Sequence, residues 1–328
     1  MIVDAHAHIF LRADASARGS DELIPAEREA PVERLRVAMD GAGVDRAVLV
    51  GVDPADVYVP AVRRERADVF AAIAVATPEE LGRVDGVDPV AALERRREGL
   101  GLDGADTGGA ASGRREPFEF DGLRTGWLGE PGRPLADSPA LPALRRLAEW
   151  GLPLWSYLAP DQMSLLLELP EVVDGLTVVL NHLGFFPEAM RVDELGRPAF
   201  DDALVPERIE AVLGLSRHPA VVMMISGQYA LSAESYPHPD LDELIGRSVE
   251  AFGPERCMWG SDFPWTEREP GYAETLALVE RALPGANAED LAAIRGGTAL
   301  RLFPNLAERG GLASHSDGKS PQAGEAAL

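Results

Sequence analysis

The sequence begins MIVDAHAHIF (residues 1–10), in which polar side chains alternate with small apolar ones. Asp4, His6 and His8 fall at every second position, so in a β-strand they share one face and the apolar residues between them share the other. Two imidazoles that project from one face near the end of a strand can bind one metal ion together. They can equally be two hydrogen-bonded core histidines, because a short His-x-His motif is a weak signal.

Seven further short apolar runs follow this first candidate strand. They are RAVLVGV (46–52), VFAAIAV (69–75), DGLRTGW (121–127), LPLWSYL (152–158), LTVVLNH (176–182), AVVMMIS (220–226) and RCMWGSD (256–262). Segments with helical periodicity lie between them, such as PVERLRVAMDGAG (31–43) and LDELIGRSVEAFG (241–253). Nearly continuous apolar strands that alternate with helices are typical of a parallel α/β sheet. Eight such units in 328 residues predict a (β/α)₈ TIM barrel rather than an open doubly wound sheet.

The barrel is expected to be a single domain over residues 1–308. From residue 309 to residue 328 the chain lacks apolar periodicity, which predicts a disordered tail. GLGLDGADTGGAASG (99–113) contains six glycines and matches no phosphate-binding loop, so we expect an exposed, mobile insertion. The third helix and the fourth strand are the least defined elements of the pattern.

The composition excludes several classes of protein. A formal charge of −23 repels phosphate backbones and anionic lipid surfaces, so neither nucleic acid nor membrane is expected as a partner. One cysteine allows no internal disulfide and no zinc-thiolate cluster. The first residues lack the pattern of a secretory signal, and no run reaches the ~18 apolar residues of a membrane span. We expect a soluble cytoplasmic protein that acts on a small molecule, with a homo-oligomer left open.

The eighth strand strengthens the metal interpretation of the first. A closed barrel places strand eight beside strand one, so Asp262 in RCMWGSDFPW should lie near His6 and His8. Two imidazoles and one carboxylate suit a zinc or manganese ion and leave coordination positions open for water or substrate. The alternative for Asp262 is an ordinary turn aspartate after Gly-Ser.

Another histidine, His182, ends the sixth strand in VVLNHLGFFP. Barrel active sites are built at the carboxyl ends of the strands, so His182 is expected to face the same pocket. Of the other histidines, His218 should lie at the opposite face, His315 in the tail, and His238 at the surface of a loop.

Candidate substrate contacts lie near the ends of the fourth, fifth and eighth strands. Arg124 is suited to bind a substrate carboxylate through its two-pronged donor geometry, although a structural salt bridge explains it equally well. Tyr157 follows the fifth strand. Trp155, Trp259 and Trp265 could stack on a substrate, but core packing is the default role of a tryptophan, and Trp265 is the candidate nearest the predicted site.

Together these motifs resemble a known family. VDAHAH at the start, NHLG on the sixth strand, ISG on the seventh and WGSDFPW on the eighth are similar to the amidohydrolase superfamily, in its amidohydrolase-related branch of metal-dependent TIM-barrel hydrolases and decarboxylases. The resemblance covers roughly residues 1–305 and implies that His6, His8 and Asp262 bind one divalent metal ion, zinc or else manganese. It also implies that His182 acts on the substrate or joins the metal ligands.

The end of strand five differs from the pattern of the family's decarboxylases. Its decarboxylases usually have a further ligand histidine at the end of strand five, where this chain has WSYLAP. The chain therefore resembles the lactonase-like members more closely, some of which work without metal. The resemblance implies a hydrolase that opens a lactone or similar cyclic ester of a small carboxylate-bearing compound. In such an enzyme Asp262 would act as the base, His182 would stabilise the oxyanion and Arg124 would hold the substrate. The alternatives are a metal-dependent non-oxidative decarboxylase of an aromatic or muconate-like acid, and a barrel that only binds a ligand.

Overall fold

The computed structural model of the protein describes residues 1–98, 120–201 and 203–307. Its strands are β1 (Val3–Ala7), β2 (Arg46–Val50), β3 (Phe70–Val75), β4 (Gly122–Thr125), β5 (Leu154–Ser156), β6 (Val178–Leu180), β7 (Arg191–Val192), β8 (Pro198–Ala199), β9 (Val221–Ile225) and β10 (Cys257–Trp259). Eight of them form one parallel sheet in the order β1-β2-β3-β4-β5-β6-β9-β10, and β7 pairs with β8 in a separate antiparallel hairpin. Each of the eight falls inside one of the predicted runs. The (β/α)₈ barrel is therefore confirmed.

Helices connect the strands of the barrel. They are α1 (Val32–Ala42), α2 (Tyr58–Glu65), α3 (Pro89–Arg97), α4 (Leu141–Glu149), α5 (Met163–Val172), α6 (Pro206–Leu213), α7 (Gln228–Leu231), α8 (Asp242–Phe252), α9 (Tyr272–Ala282), α10 (Ala288–Ala292), α11 (Thr298–Leu302) and α12 (Pro304–Ala307). The side chain of Asp88 starts α3 by accepting the backbone N–H groups of Val90 and Ala91, which the weak periodicity of this segment did not reveal. The glycine-rich segment 99–113 and the tail 309–328 lie outside the described residues, so the predictions made for them stay predictions.

Apolar side chains form two layers around the sheet. The inner layer fills the barrel with alternate residues of most strands, including Val48 of β2, Trp155 of β5 and Met224 of β9. Phe303, which follows α11, belongs to the same layer. The outer layer packs between the other face of the strands and the surrounding helices, and it includes Leu49 of β2 and Leu35 of α1. This division identifies which strand residues point into the barrel. Within the described ranges, none of the helices has both the length and the apolar character that crossing a bilayer requires.

The barrel closes between β1 and the segment that follows β10. The backbone N–H of Asp262 donates to the carbonyl of His6 at 2.9 Å, and the N–H of His8 donates to the carbonyl of Phe263 at 2.7 Å. Gly260 permits this approach, because a Cβ at that position would lie 2.7 Å from the Cβ of His6. The closure therefore brings Asp262 directly beside the first-strand histidines.

An irregularity in β1 corrects one prediction. Asp4 was expected on the same face as His6 and His8, but the pairing register with β2 shifts between Asp4 and Ala7. Ala5 consequently packs inside the barrel and Ala7 outside it. Asp4 points outward, where its carboxylate accepts hydrogen bonds from Ser261 and from the Tyr272 hydroxyl, and burial raises its pKa to about 6. A bulge of this kind re-aims side chains, and here it turns both imidazoles into the barrel.

Candidate active site

Three buried side chains meet at the carboxyl ends of β1 and β10. His6 Nε2 and His8 Nε2 lie 3.2 Å apart, and Asp262 Oδ1 lies 3.7 Å from the first and 3.5 Å from the second. All three residues are at most 4% exposed. The structure thus brings together the ligand set that the sequence indicated.

These three separations fit a metal centre. Zinc ligands lie about 2.0–2.2 Å from the ion, so two ligands at the tetrahedral angle are roughly 3.3–3.6 Å apart. The distances of 3.2, 3.5 and 3.7 Å match that spacing. Within the described residues, Asp262 Oδ1 is also a buried oxygen without a hydrogen-bond partner. His6, His8 and Asp262 can therefore hold one divalent ion.

The two imidazoles differ in what their Nδ1 atoms contact. His8 Nδ1 lies 2.7 Å from the carbonyl of Val50, which can only accept, so this nitrogen carries the proton and Nε2 keeps its lone pair. His6 Nδ1 instead accepts a hydrogen bond of 3.3 Å from the indole N–H of Trp155. Burial, and secondarily the neighbouring histidines, hold the pKa of His6 well below its usual range. His6 is therefore a neutral imidazole at physiological pH.

One carboxylate oxygen of Asp262 accepts a hydrogen bond, and the other has no hydrogen-bond partner among the described residues. The hydroxyl of Tyr229 donates to Oδ2 at 2.8 Å, which leaves Oδ1 facing the histidines. Burial opposes ionisation of this carboxyl, but the charge interactions with the facing His182 and with His6 and His8 outweigh it and hold the pKa of Asp262 below its usual range. The backbone of Asp262 has a φ of 59°, an uncommon conformation that aspartate tolerates better than most residues.

His182 approaches the same cluster from the end of β6. Its ring centroid lies 4.9 Å from that of His6, and its Nδ1 lies 2.8 Å from the hydroxyl of Ser226 at the end of β9. Gly227 allows this contact, since a Cβ there would lie 2.7 Å from His182 Nδ1. Burial lowers the pKa of His182 to about 4, so it too is neutral at physiological pH.

An arginine and two aromatic rings line the neighbouring wall. The guanidinium of Arg124, on β4, stacks over Tyr157 at 4.3 Å. Among the described residues Arg124 makes no salt bridge and donates no hydrogen bond, so its role in substrate binding stays a prediction. Burial raises the pKa of Tyr157 to about 12, so its hydroxyl stays protonated. Tyr157 in turn lies 6.2 Å from the His182 ring and 5.9 Å from Phe185.

Two other sequence candidates lie further out or elsewhere. Trp265 is buried with its ring centroid 6.2 Å from that of His8, and its own ring packs against Phe10 and under the guanidinium of Arg28. It borders the cluster, and its contact with substrate stays a prediction. His238 was expected at the surface but is buried, because its loop folds against α9 and its Nδ1 bonds to the carbonyl of Glu234.

Three residues contact the cluster in roles that the sequence did not indicate: Tyr229 and Ser226 were not candidates, and Trp155 was considered only for substrate stacking or core packing. Tyr229 binds Asp262, Ser226 binds His182 and Trp155 binds His6. Ser226 stands in the ISG motif of β9 and could have been found there. The other two carry no local signal, because an isolated tyrosine or tryptophan in an apolar segment is usually core.

Comparison with known proteins places the chain in a family. A family model described as Amidohydrolase matches residues 3–304, which confirms the resemblance seen in the motifs. A curated relative, L-fucono-1,5-lactonase from Burkholderia multivorans, is 32% identical over 125 residues. That match covers 34% of this chain and 42% of the lactonase, so the two align over less than half of either length.

Solved structures share the fold over nearly the whole chain. An amidohydrolase from Burkholderia multivorans, crystallised with bound zinc, superposes with a TM-score of 0.65 at 20% identity and covers 93% of this chain and 99% of its own. A protein described as a putative 2-pyrone-4,6-dicarboxylic acid hydrolase from Pseudomonas putida gives a TM-score of 0.65 at 21% identity and covers 93% and 97%. At these identities the likeness establishes the barrel fold alone.

Proposed function

Because the chain belongs to the amidohydrolase family, we propose that it is a hydrolase that opens a lactone or similar cyclic ester of a small carboxylate-bearing compound by attack of an activated water. The observation that carries this proposal is the state of Asp262. Its Oδ1 is buried, ionised and without a hydrogen-bond partner among the described residues, at the carboxyl-end face where barrel enzymes bind substrate. Such an oxygen is placed to receive a proton from water.

The remaining groups take complementary roles. Tyr229 holds Oδ2, so Oδ1 alone accepts the proton as the water oxygen bonds to the lactone carbonyl carbon. The Ser226 hydroxyl can donate to His182 Nδ1, which leaves the proton of this neutral imidazole on Nε2 to stabilise the developing oxyanion. When the ring C–O bond breaks, the proton on Asp262 passes to the leaving oxygen. The products are a hydroxyl group and a carboxylate, with one net proton released.

Arg124 selects the substrate in this scheme. Its donors have no partner within the described structure, and it stands beside Tyr157 and His182 on one wall of the site. A guanidinium with free donors recognises a carboxylate through paired hydrogen bonds. We therefore expect the substrate to carry a carboxylate next to the ring that is opened.

The metal ligands fit one divalent ion, and the nitrogen and oxygen donors favour zinc. When bound by His6, His8 and Asp262, such an ion would lower the pKa of a water molecule. The curated lactonase and the pyrone hydrolase support the hydrolase assignment, and the strand-five segment WSYLAP offers no additional histidine of the kind expected in a decarboxylase.

The test is a panel of lactones that includes L-fucono-1,5-lactone and 2-pyrone-4,6-dicarboxylate, compared with aromatic carboxylic acids. We expect ring opening of at least one lactone, and Asp262→Asn should lower kcat by roughly 10²–10⁴-fold, the usual contribution of a general base. Asp14→Asn is the matched control, because the Asp14 side chain is 73% exposed. Carbon dioxide release from an aromatic acid faster than any lactone is opened would overturn the proposal.

A further inference from the structure

The contact between Trp155 and His6 constrains the metal site from inside the barrel. The indole Nε1 lies 3.3 Å from His6 Nδ1, and both residues are completely buried. The Phe303 ring packs with its centroid 5.8 Å from that of the Trp155 ring, and both belong to the apolar layer that fills the barrel. The Trp155–His6 contact is therefore enclosed within the barrel.

This contact determines which nitrogen of His6 carries the proton. An indole N–H can only donate, so Nδ1 must accept and the neutral ring must carry its proton on Nε2. That proton points toward His8 Nε2, 3.2 Å away, whose lone pair is free because His8 Nδ1 donates to the Val50 carbonyl at 2.7 Å. Trp155, His6, His8 and Val50 thus form one chain of hydrogen bonds in which every donor has an acceptor.

Metal binding requires the opposite arrangement at His6. A ligand imidazole offers the lone pair of its coordinating nitrogen, so a metal on Nε2 moves the proton of a neutral His6 to Nδ1. Two N–H donors, from His6 and Trp155, would then face each other at 3.3 Å inside the barrel. The metal would replace the hydrogen bond between the two histidines, whereas the Trp155–His6 hydrogen bond would be lost without replacement and would leave two buried donors unpaired, which proteins strongly avoid.

We propose that Trp155 holds His6 in the tautomer with its proton on Nε2 and thereby weakens metal binding at His6, His8 and Asp262. Trp155 is a positioning residue in this scheme, since it acts through His6. Its effect is a bias between two states of the site: a metal-free state whose histidines satisfy one another, and a metal-bound state that must break the Trp155 contact.

Zinc affinity tests the proposal directly. The protein is stripped with chelator and titrated with Zn²⁺ against a chromophoric chelator, for the wild type, Trp155→Phe and Trp259→Phe. Trp259 is the matched control, because it is also completely buried and its indole N–H has no partner within the described structure. We expect Trp155→Phe to lower the zinc Kd by at least about tenfold, the effect of relieving an unpaired buried donor, and Trp259→Phe to leave it within about threefold.

An equal or higher Kd in Trp155→Phe, an equal decrease in Trp259→Phe, or no zinc binding by any variant would overturn the proposal. The wild type supplies a second measurement that depends on no variant folding. In ¹⁵N-histidine-labelled metal-free protein, with the His6 signals assigned by their loss in His6→Gln, the ring proton should reside on Nε2 and Nδ1 should be bare. A proton on Nδ1 would contradict the proposal. Neither readout depends on which reaction the enzyme catalyses.

Discussion

Replacing Arg124 by methionine should weaken catalysis selectively for carboxylate-bearing substrates. The guanidinium stacks on Tyr157 at 4.3 Å and, within the described residues, donates no hydrogen bond, so its donors can reach the substrate. A hydrogen bond between charged groups contributes about 1.5–3 kcal/mol, so kcat/KM should fall roughly 10- to 150-fold. A neutral lactone without the carboxylate should lose little, because it never makes this interaction.

The same substitution should stabilise the unliganded protein. Burial lowers the pKa of Arg124, because desolvation disfavours the charged guanidinium. Methionine preserves much of the apolar stem and removes the unpaired cation. Because the residue is only partly buried, we expect a gain of about 1 kcal/mol in the free energy of unfolding and a rise in Tm of about 2–4 °C.

Steady-state kinetics on a charged and a neutral lactone, with thermal unfolding of the same samples, check both expectations. Arg133→Met is the control, because the Arg133 side chain is 67% exposed and its substitution should alter neither quantity. An equal loss of kcat/KM for both lactones, or a lower Tm with no kinetic effect, would show that Arg124 is structural and would refute its role in substrate recognition.

Three further outcomes follow from the site geometry. Because burial lowers the pKa of His182 to about 4, its neutral form persists down to that pH, and protonation of His182 should contribute no acid limb near 6.5 to the pH profile of kcat/KM. Tyr229→Phe removes the hydrogen bond to Asp262, the proposed base, and should lower kcat/KM roughly tenfold or more, whereas Tyr236→Phe, at a residue that is 42% exposed, should not. Gly260→Ala should destabilise the fold by about 1–3 kcal/mol in urea unfolding, since the new Cβ would lie 2.7 Å from the Cβ of His6. Gly246→Ala is the control, because a Cβ there has nothing within 4 Å, and it should stabilise its helix by roughly 0.5–1 kcal/mol.

The barrel was predictable because its signals are local. Each strand of a parallel barrel is covered on both faces, so it is an apolar run between helical segments that pattern alone detects. Barrel closure then placed Asp262 beside His6 and His8 from strand order alone.

What the sequence did not predict depends on register and on distant packing. Strict alternation put Asp4 with the histidines, whereas the register shift in β1 sends it outward to Ser261. The partners Trp155 and Tyr229 come from other strands and loops, and their polar atoms acquire roles only where the folded chain places them 3.3 Å and 2.8 Å from the site residues. Asp88 likewise caps α3 through backbone contacts that hydrophobic periodicity does not register.

Isotope labelling with H₂¹⁸O tests whether an activated water attacks the cyclic ester. The enzyme is incubated with a lactone that it opens, and the product is analysed by mass spectrometry. We expect one ¹⁸O atom in the new carboxylate, none in the released hydroxyl, and no carbon dioxide. Label in the hydroxyl, or release of carbon dioxide with a solvent hydrogen on the product carbon, would contradict it.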